Sequence, residues 1–342
     1  MSKRAICKVL IGGSDISGVI VPLITNLQVS EKSGQHADTA QITLDDTGGH
    51  IVLPQVGAPC SILLGWEGGG VDLVFIGTID DVRSRGDRGG GRLIGVSAKG
   101  VDSLGRAKEP QQKHFDKKTV SQILNEAGSK AGISVQVDPS LASKMIEYDA
   151  MDDESFISMG QRYAREMSGT FKIMGNKAIL AKRNGGTTPL GFGLPVVTAT
   201  WGGNLHDWDI APLLGRPRFK KSRGRWYDPL KAKWEKEEKD IGVEKTEAEI
   251  TTRFTAPDKQ AAEDRAGSEK SASERNAGEG SVTIEGNTGA QCEGLCIVAG
   301  ARPGVDGAYR IDSVDHSYNR GGGFTTRLGL KQPQDGAGSD SR

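Results

Sequence analysis

Short runs in which apolar and polar residues alternate dominate the first hundred positions, the period-two pattern of half-buried strands. Residues 5–11, 19–29, 39–44, 59–66, 73–82 and 92–99 are such runs, separated by glycine clusters at 68–70 and 89–91. The period then changes. Thr119 and Gln122 form a capping box, and Val120, Ile123, Leu124, Ala127 and Ala131 make one apolar stripe at helical spacing before Gly132 stops the helix. A second helix is predicted over 153–168, opened by Asp152, Asp153 and Glu154, whose charge suits a helix N-terminus. Its buried face is Phe156, Ile157, Gly160, Tyr163, Ala164 and Met167, and Gly169 ends it. A hairpin over 171–181 turns on Gly175 and Asn176.

From Val196 the strand pattern returns. Residues 219–226 and 231–239 read as hairpin arms around Asp228 and Pro229. An alanine-rich helix over 260–276 follows a capped start at 255–258 and stops at Gly278. Its apolar side (Ala261, Ala262, Ala266 and Ala272) is too thin to anchor a core, so the helix is expected on a sheet or against another chain. Strands at 281–285 and 295–299 lead to a closing hairpin. Tyr309, Ile311 and Val314 lie on its first arm, and Phe324, Thr326, Leu328 and Leu330 alternate along its second. The Gly/Ser/Asp-rich segment 332–342 is predicted to be disordered.

Length and composition support several β-rich units. A chain of 342 residues suits two or three domains, and 48 glycines fall mostly in turns. Aromatics at 5% imply small cores of Val, Ile and Leu. Forty-four basic and forty-four acidic residues cancel, which argues against a dedicated nucleic-acid binder. No apolar run reaches membrane-span length and none follows the first four residues, so a soluble protein without a cleaved signal is expected.

Charge is locally segregated: nine basic and two acidic residues over 216–236, then six acidic and two basic over 237–249. Two readings stay open, a solvated ribbon that neutralises itself or a surface that docks on a neighbour.

Candidate chemistry is sparse. Cys7, Cys60, Cys292 and Cys296 read as buried thiols; the C-x3-C spacing of the last two has no second pair to complete a zinc site. His36, His50, His114, His206 and His316 sit in unrelated contexts. His206 beside Asp207 and Asp209, and His316 beside Asp315, could each serve as base and orienting acid, but adjacent polar residues in turns are the favoured reading. Asp152, Asp153 and Glu154 lack the alternation of a calcium loop. The triple glycine 89–91 is followed by no Gly-Lys-Ser/Thr, so a plain basic, mobile loop over 83–92 is favoured over a phosphate cradle. No catalytic, cofactor or metal residue is assigned.

The closing segment Tyr-Arg-Ile-Asp-Ser-Val-Asp-His-Ser-Tyr-Asn-Arg-Gly-Gly-Gly-Phe-Thr-Thr-Arg-Leu-Gly-Leu, residues 309–330, resembles the end of the late control protein D family of phage tail hubs. The preceding Arg-Pro-Gly-Val-Asp-Gly-Ala-Tyr, residues 302–309, and the segment 113–183 fit the same family; the first hundred residues match only in style. The resemblance implies a β-rich α+β chain with two tube-like β-barrel domains at 1–106 and 196–331, separated by a small α+β module at 107–195. It implies a structural, non-enzymatic baseplate hub of a contractile tail in the virion, assembled in the host cytoplasm. Three chains would join a sixfold tail tube to a trimeric central spike, with tape-measure and baseplate wedge proteins as further partners. The alternatives are the hub of a type VI secretion or phage-derived bacteriocin spike, or a tail-associated cell-wall hydrolase. Type VI hubs usually carry a long β-helical extension, and the sequence stops at Arg342, so a separate spike is expected. A carbohydrate-binding sandwich would need exposed aromatic platforms, which five Trp and five Tyr spread along the chain do not suggest.

Overall fold

Alternation in the first region produces seven strands: β1 (Ala5–Ile11), β2 (Ser14–Asp15), β3 (Ile24–Lys32), β4 (Thr39–Asp45), β5 (Pro59–Trp66), β6 (Gly70–Asp87) and β7 (Gly91–Lys99). This computed structural model describes all residues except 1–2, 35, 184–185, 187–192, 215–218, 242–245, 339 and 341. Two expectations change here. Residues 17–23 form a short helix α1 (Ser17–Ile20) and a 3-10 turn (Val21–Leu23) before β3 begins. Pro22 has no N–H to give a ladder and suits the start of a turn. The predicted mobile loop 83–92 is instead the end of one long hairpin, with β6 running to Asp87 and β7 starting at Gly91.

The middle module contains β8 (Pro110–Thr119), α2 (Val120–Ser129), β9 (Ser134–Val137), α3 (Pro139–Ala142), β10 (Met145–Ser155), α4 (Phe156–Glu166), β11 (Gly169–Met174) and β12 (Lys177–Lys182). The expected capping box forms: the Thr119 N–H donates to Gln122 at 2.9 Å and Thr119 Oγ1 accepts from the Gln122 N–H at 3.3 Å. Gly132 takes φ +67° at the helix exit. The start of α4 differs from expectation. Its cap is Ser155, which accepts from the Ser158 N–H at 3.2 Å. Asp152, Asp153 and Glu154 belong to β10, where Asp153 sits in a bulge at φ +48°. Glu154 reaches forward to Arg162 at 2.8 Å, so its charge is used by a side chain rather than the helix terminus. Ser168, at φ +52°, ends α4, and Gly169 already belongs to β11. Met159 is fully buried in place of the half-buried Ile157. Val120, Ile123, Leu124, Phe156, Tyr163, Phe171 and Leu180 share the module's core.

The last region contains β13 (Val196–Thr200), β14 (Leu205–Ala211), β15 (Lys221–Asp228), β16 (Lys233–Asp240), β17 (Glu249–Thr251), α5 (Lys259–Arg275), β18 (Glu279–Glu285), β19 (Leu295–Ala299), β20 (Gly307–Asn319) and β21 (Gly323–Gln334). Asp258 caps α5, accepting from the Ala261 N–H at 2.8 Å, so Pro257 stands just outside the helix. The predicted disordered tail is folded at its start. Gln334 pairs with Ala308, and the Gly338 N–H donates to Gly304 at 2.9 Å. Gly307 makes this possible, because a Cβ there would lie 2.5 Å from the Ala337 nitrogen. Positions 339 and 341 of that predicted tail lie outside the described residues.

Strand accounts for 52% of the chain and helix for 16%, so the β-rich expectation holds. The two β-rich regions are not separated in space. The outer half of β20 pairs with β3, from Ser313 opposite Lys32 to Tyr318 opposite Leu27, and joins them in one 13-stranded sheet. No closed barrel is present among the described residues.

Within that sheet the strand order β3-β4-β7-β6 recurs as β14-β18-β21-β20. In each set the last strand in sequence lies between the second and third. β1 and β5 flank the first set as β13 and β19 flank the second, although β1 runs antiparallel to β5 and β13 parallel to β19. The irregularities recur too: Ile24/Asn26 in β3 matches Leu205/Asp207 in β14, and Ile79/Asp81 in β6 matches Ile311/Ser313 in β20. Bulges fix register. Their recurrence identifies the two sets as copies of one unit, joined head to tail.

Candidate assembly surfaces

The titratable residues flagged in the sequence are scattered. His316 is buried in β20 with Nδ1 3.0 Å from Thr326 Oγ1, and burial lowers its pKa to about 4. Asp315 points to the opposite face and accepts from Ser30 Oγ at 2.5 Å, so the two are not a base–acid pair. His206 is exposed on β14, and Asp207 accepts from Thr283 at 3.2 Å. His36 contacts Gln161 at 3.0 Å, His114 contacts Tyr148 at 3.0 Å, and His50 is exposed. All four cysteines are buried free thiols, each with its pKa raised by burial. Among the described residues no three His, Cys, Asp or Glu side chains gather as a metal site would require.

The glycine cluster at 89–91 is occupied by its own chain. Asp87 Oδ1 accepts from the Gly89 N–H at 2.8 Å and the Gly90 N–H at 2.5 Å, so a carboxylate already sits where a phosphate would. The charged ribbon neutralises itself in part among the described residues, which leave out 216–218 and 242–245. Arg223 binds Glu238 at 2.6 Å and Glu249 at 2.5 Å, Lys221 binds Glu238 at 3.2 Å, and Lys231 and Lys233 bind Glu235. What the ribbon exposes is its tip: Leu230 is 96% accessible, beside the edge-to-face pair Tyr227 and Trp234.

Helix α5 lies on the ribbon. Ser222 Oγ donates to the Ala266 carbonyl at 2.7 Å, and a Cβ at Gly224 would stand 2.2 Å from the Ala262 carbonyl oxygen. The alanine face therefore meets a sheet of its own chain. On another side Lys144 binds Asp264 at 2.7 Å and Arg265 binds Glu166 at 3.1 Å, so α5 spaces the ribbon from the module.

A buried ionic junction ties these parts together. Arg275, at the end of α5, meets Glu293 at 3.0 Å and Asp312 at 2.9 Å. Lys172 of the module meets Asp38 at 2.9 Å and also Glu31 of β3. Burial opposes both positive charges, but the facing carboxylates outweigh it and hold both pKa values above the ordinary range. Removing either cation would leave acids buried without compensation.

The eight strands β14-β18-β21-β20-β3-β4-β7-β6 share one continuous outer face. Their inner residues form two apolar cores, and Phe324 of β21 reaches across into the core of the first unit. Many of the outer residues are short and polar: Asp209, Ser281 and Ser313 in one row; Gln28, Gln41, Ser97 and Ser317 in another. Each end of this run leaves an edge open. β6 pairs with β5 only as far as Thr78, and from Asp81 to Asp87 its sole partner among the described residues is β7. Among the described residues Asp207–Ala211 of β14 likewise pairs only with β18.

The residue patterns alone did not reveal the repeat, which only the family resemblance implied as two tube-like domains, yet one signal was available. The β6–β7 turn and the β20–β21 turn both read Arg-Gly-Gly-Gly, at 88–91 and 320–323, and the same offset relates Val82 to Val314. Gly91 and Gly323 both take positive φ, +76° and +71°. Asp87 and Asn319 both accept from the second glycine's N–H.

No protein-family model matches this chain. A probable baseplate hub protein of Escherichia phage P2 is 26% identical over 203 residues, covering 59% of this chain and 52% of the relative. The chain spans about half the length of the curated relatives it matches. Its fold is that of a 43 kDa prophage tail protein from Shewanella oneidensis, with TM-score 0.71 and 16% identity over 96% of this chain and 98% of the other. An E. coli component of the type VI secretion system shares the fold at TM-score 0.58 and 12% identity, over 98% of this chain and 79% of the other. The chain is thus similar in sequence to the probable baseplate hub proteins of phages P2 and 186 and shares its fold with phage tail proteins, in line with the resemblance of its closing hairpin.

Proposed function

We propose that this chain is the hub at the distal tip of a contractile phage tail, a homotrimeric adapter between a sixfold tail tube and a trimeric central spike. The observation that carries this reading is the head-to-tail repeat. One chain supplies two similar units, so three chains supply six, and a threefold object can meet a sixfold one. In this reading the segments 1–106 and 196–331 are tube-like units whose barrels are completed in the ring, and 107–195 is the module beside them. The polar outer face suits a surface past which DNA or an extended polypeptide moves, having few aromatic or apolar side chains to hold it. The role is structural, with no cofactor; tape-measure and wedge proteins are neighbours, and assembly takes place in the host cytoplasm.

A second reading is the hub of a type VI secretion or bacteriocin spike, supported by the shared fold of the E. coli component. Immunogold labelling of purified particles tests the placement. Label confined to the distal tip of DNA-filled phage is expected; label on headless particles favours the second reading, and label along the shaft refutes both. A peptidoglycan zymogram of the purified chain should show no clearing; clearing would restore the hydrolase alternative.

A further inference from the structure

The ring reading leaves open how one chain meets the next, and the repeat supplies the geometry; this inference rests on that reading. We propose that the free edge of β6 in one chain pairs antiparallel with β14 of a second copy, in the register that β20 and β3 use within the chain. Two rows cross the units strand by strand: Leu27-Ile42-Val96-Val82 in the first, and Trp208-Val282-Leu328-Val314 in the second. Val82 therefore stands where Val314 stands, and Trp208 where Leu27 stands. Within the chain Tyr318 faces Leu27. Gly86 stands to Val82 as Tyr318 stands to Val314, so Gly86 faces Trp208 of the next chain. Arg85 then faces Asp209, Ser84 faces Ile210 and Arg83 faces Ala211. Pro212, which has no N–H, ends the ladder.

The side chains fit this backbone register. Arg83 and Arg85 are exposed on β6, and Asp207 and Asp209 are exposed on β14, on the outer face in both cases. Opposite charges directly across or diagonal on one face stabilise a strand pair, and like charges oppose it. Arg83 is held by Asp81 at 2.5 Å. Among the described residues neither Arg85 nor Asp209 makes an ion pair within the chain. Among the described residues both edges are also unpaired rows of main-chain donors and acceptors, which a ring closes and a monomer leaves open. A register shifted by one residue would place each arginine opposite the inward-facing Trp208 or Ile210 row and forfeit the charge match.

Cysteines at the two facing positions test the pairing, since the four native thiols are buried. Tail particles assembled with the double variant Arg85→Cys/Asp209→Cys should give, after mild oxidation, a disulfide-linked ladder ending at three chains on a non-reducing gel. The single variants should give none. In parallel, Arg85→Asp and Asp209→Arg should each cut the yield of intact particles at least tenfold, and the combined swap should restore it to within threefold. Three copies at the tip with no cross-link and no restoration would overturn the edge assignment and leave the ring reading standing. A ladder ending at another number would overturn the ring reading itself. Cross-links between β14 and a different partner protein would overturn the assignment of a second copy.

Discussion

At the level of single residues, packing and local hydrogen bonding are the features that the sequence makes legible. Leu124 lies on the apolar stripe that helical spacing predicts, and it is fully buried among Phe156 and its neighbours. Leu124→Ala should cost about 2–5 kcal/mol in denaturant unfolding. Lys130, whose partner Glu109 is 3.1 Å away and half exposed like itself, should cost less than about 1 kcal/mol when removed. Equal losses would mean that the stripe faces elsewhere. His316 and Asp315 are neighbours in sequence only, because adjacent letters do not say which face of a strand each occupies. The His316 pKa falls from 6.5 to about 4 on burial. The unfolded chain then takes up a proton below about pH 6.5 that the folded chain refuses until about pH 4, so stability declines across that window. The full loss is about 3 kcal/mol. His316→Gln should flatten the pH dependence of unfolding between pH 6.5 and 4; an unchanged slope would assign the acid sensitivity to other groups.

At the level of elements, legibility depends on whether a local signal has one meaning. The capping box of α2 has one, and it forms at the predicted residues. Three acids before an apolar run have two, a helix start or a strand edge, and the pairing of β10 with β8 selects the second. The alanine-rich helix is legible as a helix, but its partner is not. The reason lies in Gly224, whose missing side chain lets α5 approach the ribbon backbone. Gly224→Ala should destabilise by about 1–3 kcal/mol through overpacking. Gly267, inside α5 and with nothing within 4 Å of an added Cβ, should behave oppositely. Gly267→Ala removes a helix-interior glycine and should stabilise by about 0.5–1 kcal/mol. Thermal unfolding of the two variants reads the contrast, and a shift of the same sign in both would refute this packing.

At the level of the whole molecule, the decisive feature is nearly invisible in the letters. Strand positions tolerate any apolar residue of suitable size, so Ile42 and Val282, or Val96 and Leu328, keep a pattern without keeping identity. Insertion of the ribbon and α5 between β14 and β18 further breaks the spacing. Only the two Arg-Gly-Gly-Gly turns survive as a shared string, because left-handed backbone at Gly91 and Gly323 restricts the residue type. The β3–β20 pairing then turns two units into one continuous sheet, which the alternating pattern of either strand alone does not specify. That sheet supports the central proposal, that the chain carries two ring positions. A subunit-resolved reconstruction of the tail tip tests it most directly. It should place three copies in one ring at the distal end of the tube, each occupying two of six quasi-equivalent positions. Six copies in the ring, or one position per chain, would contradict the account.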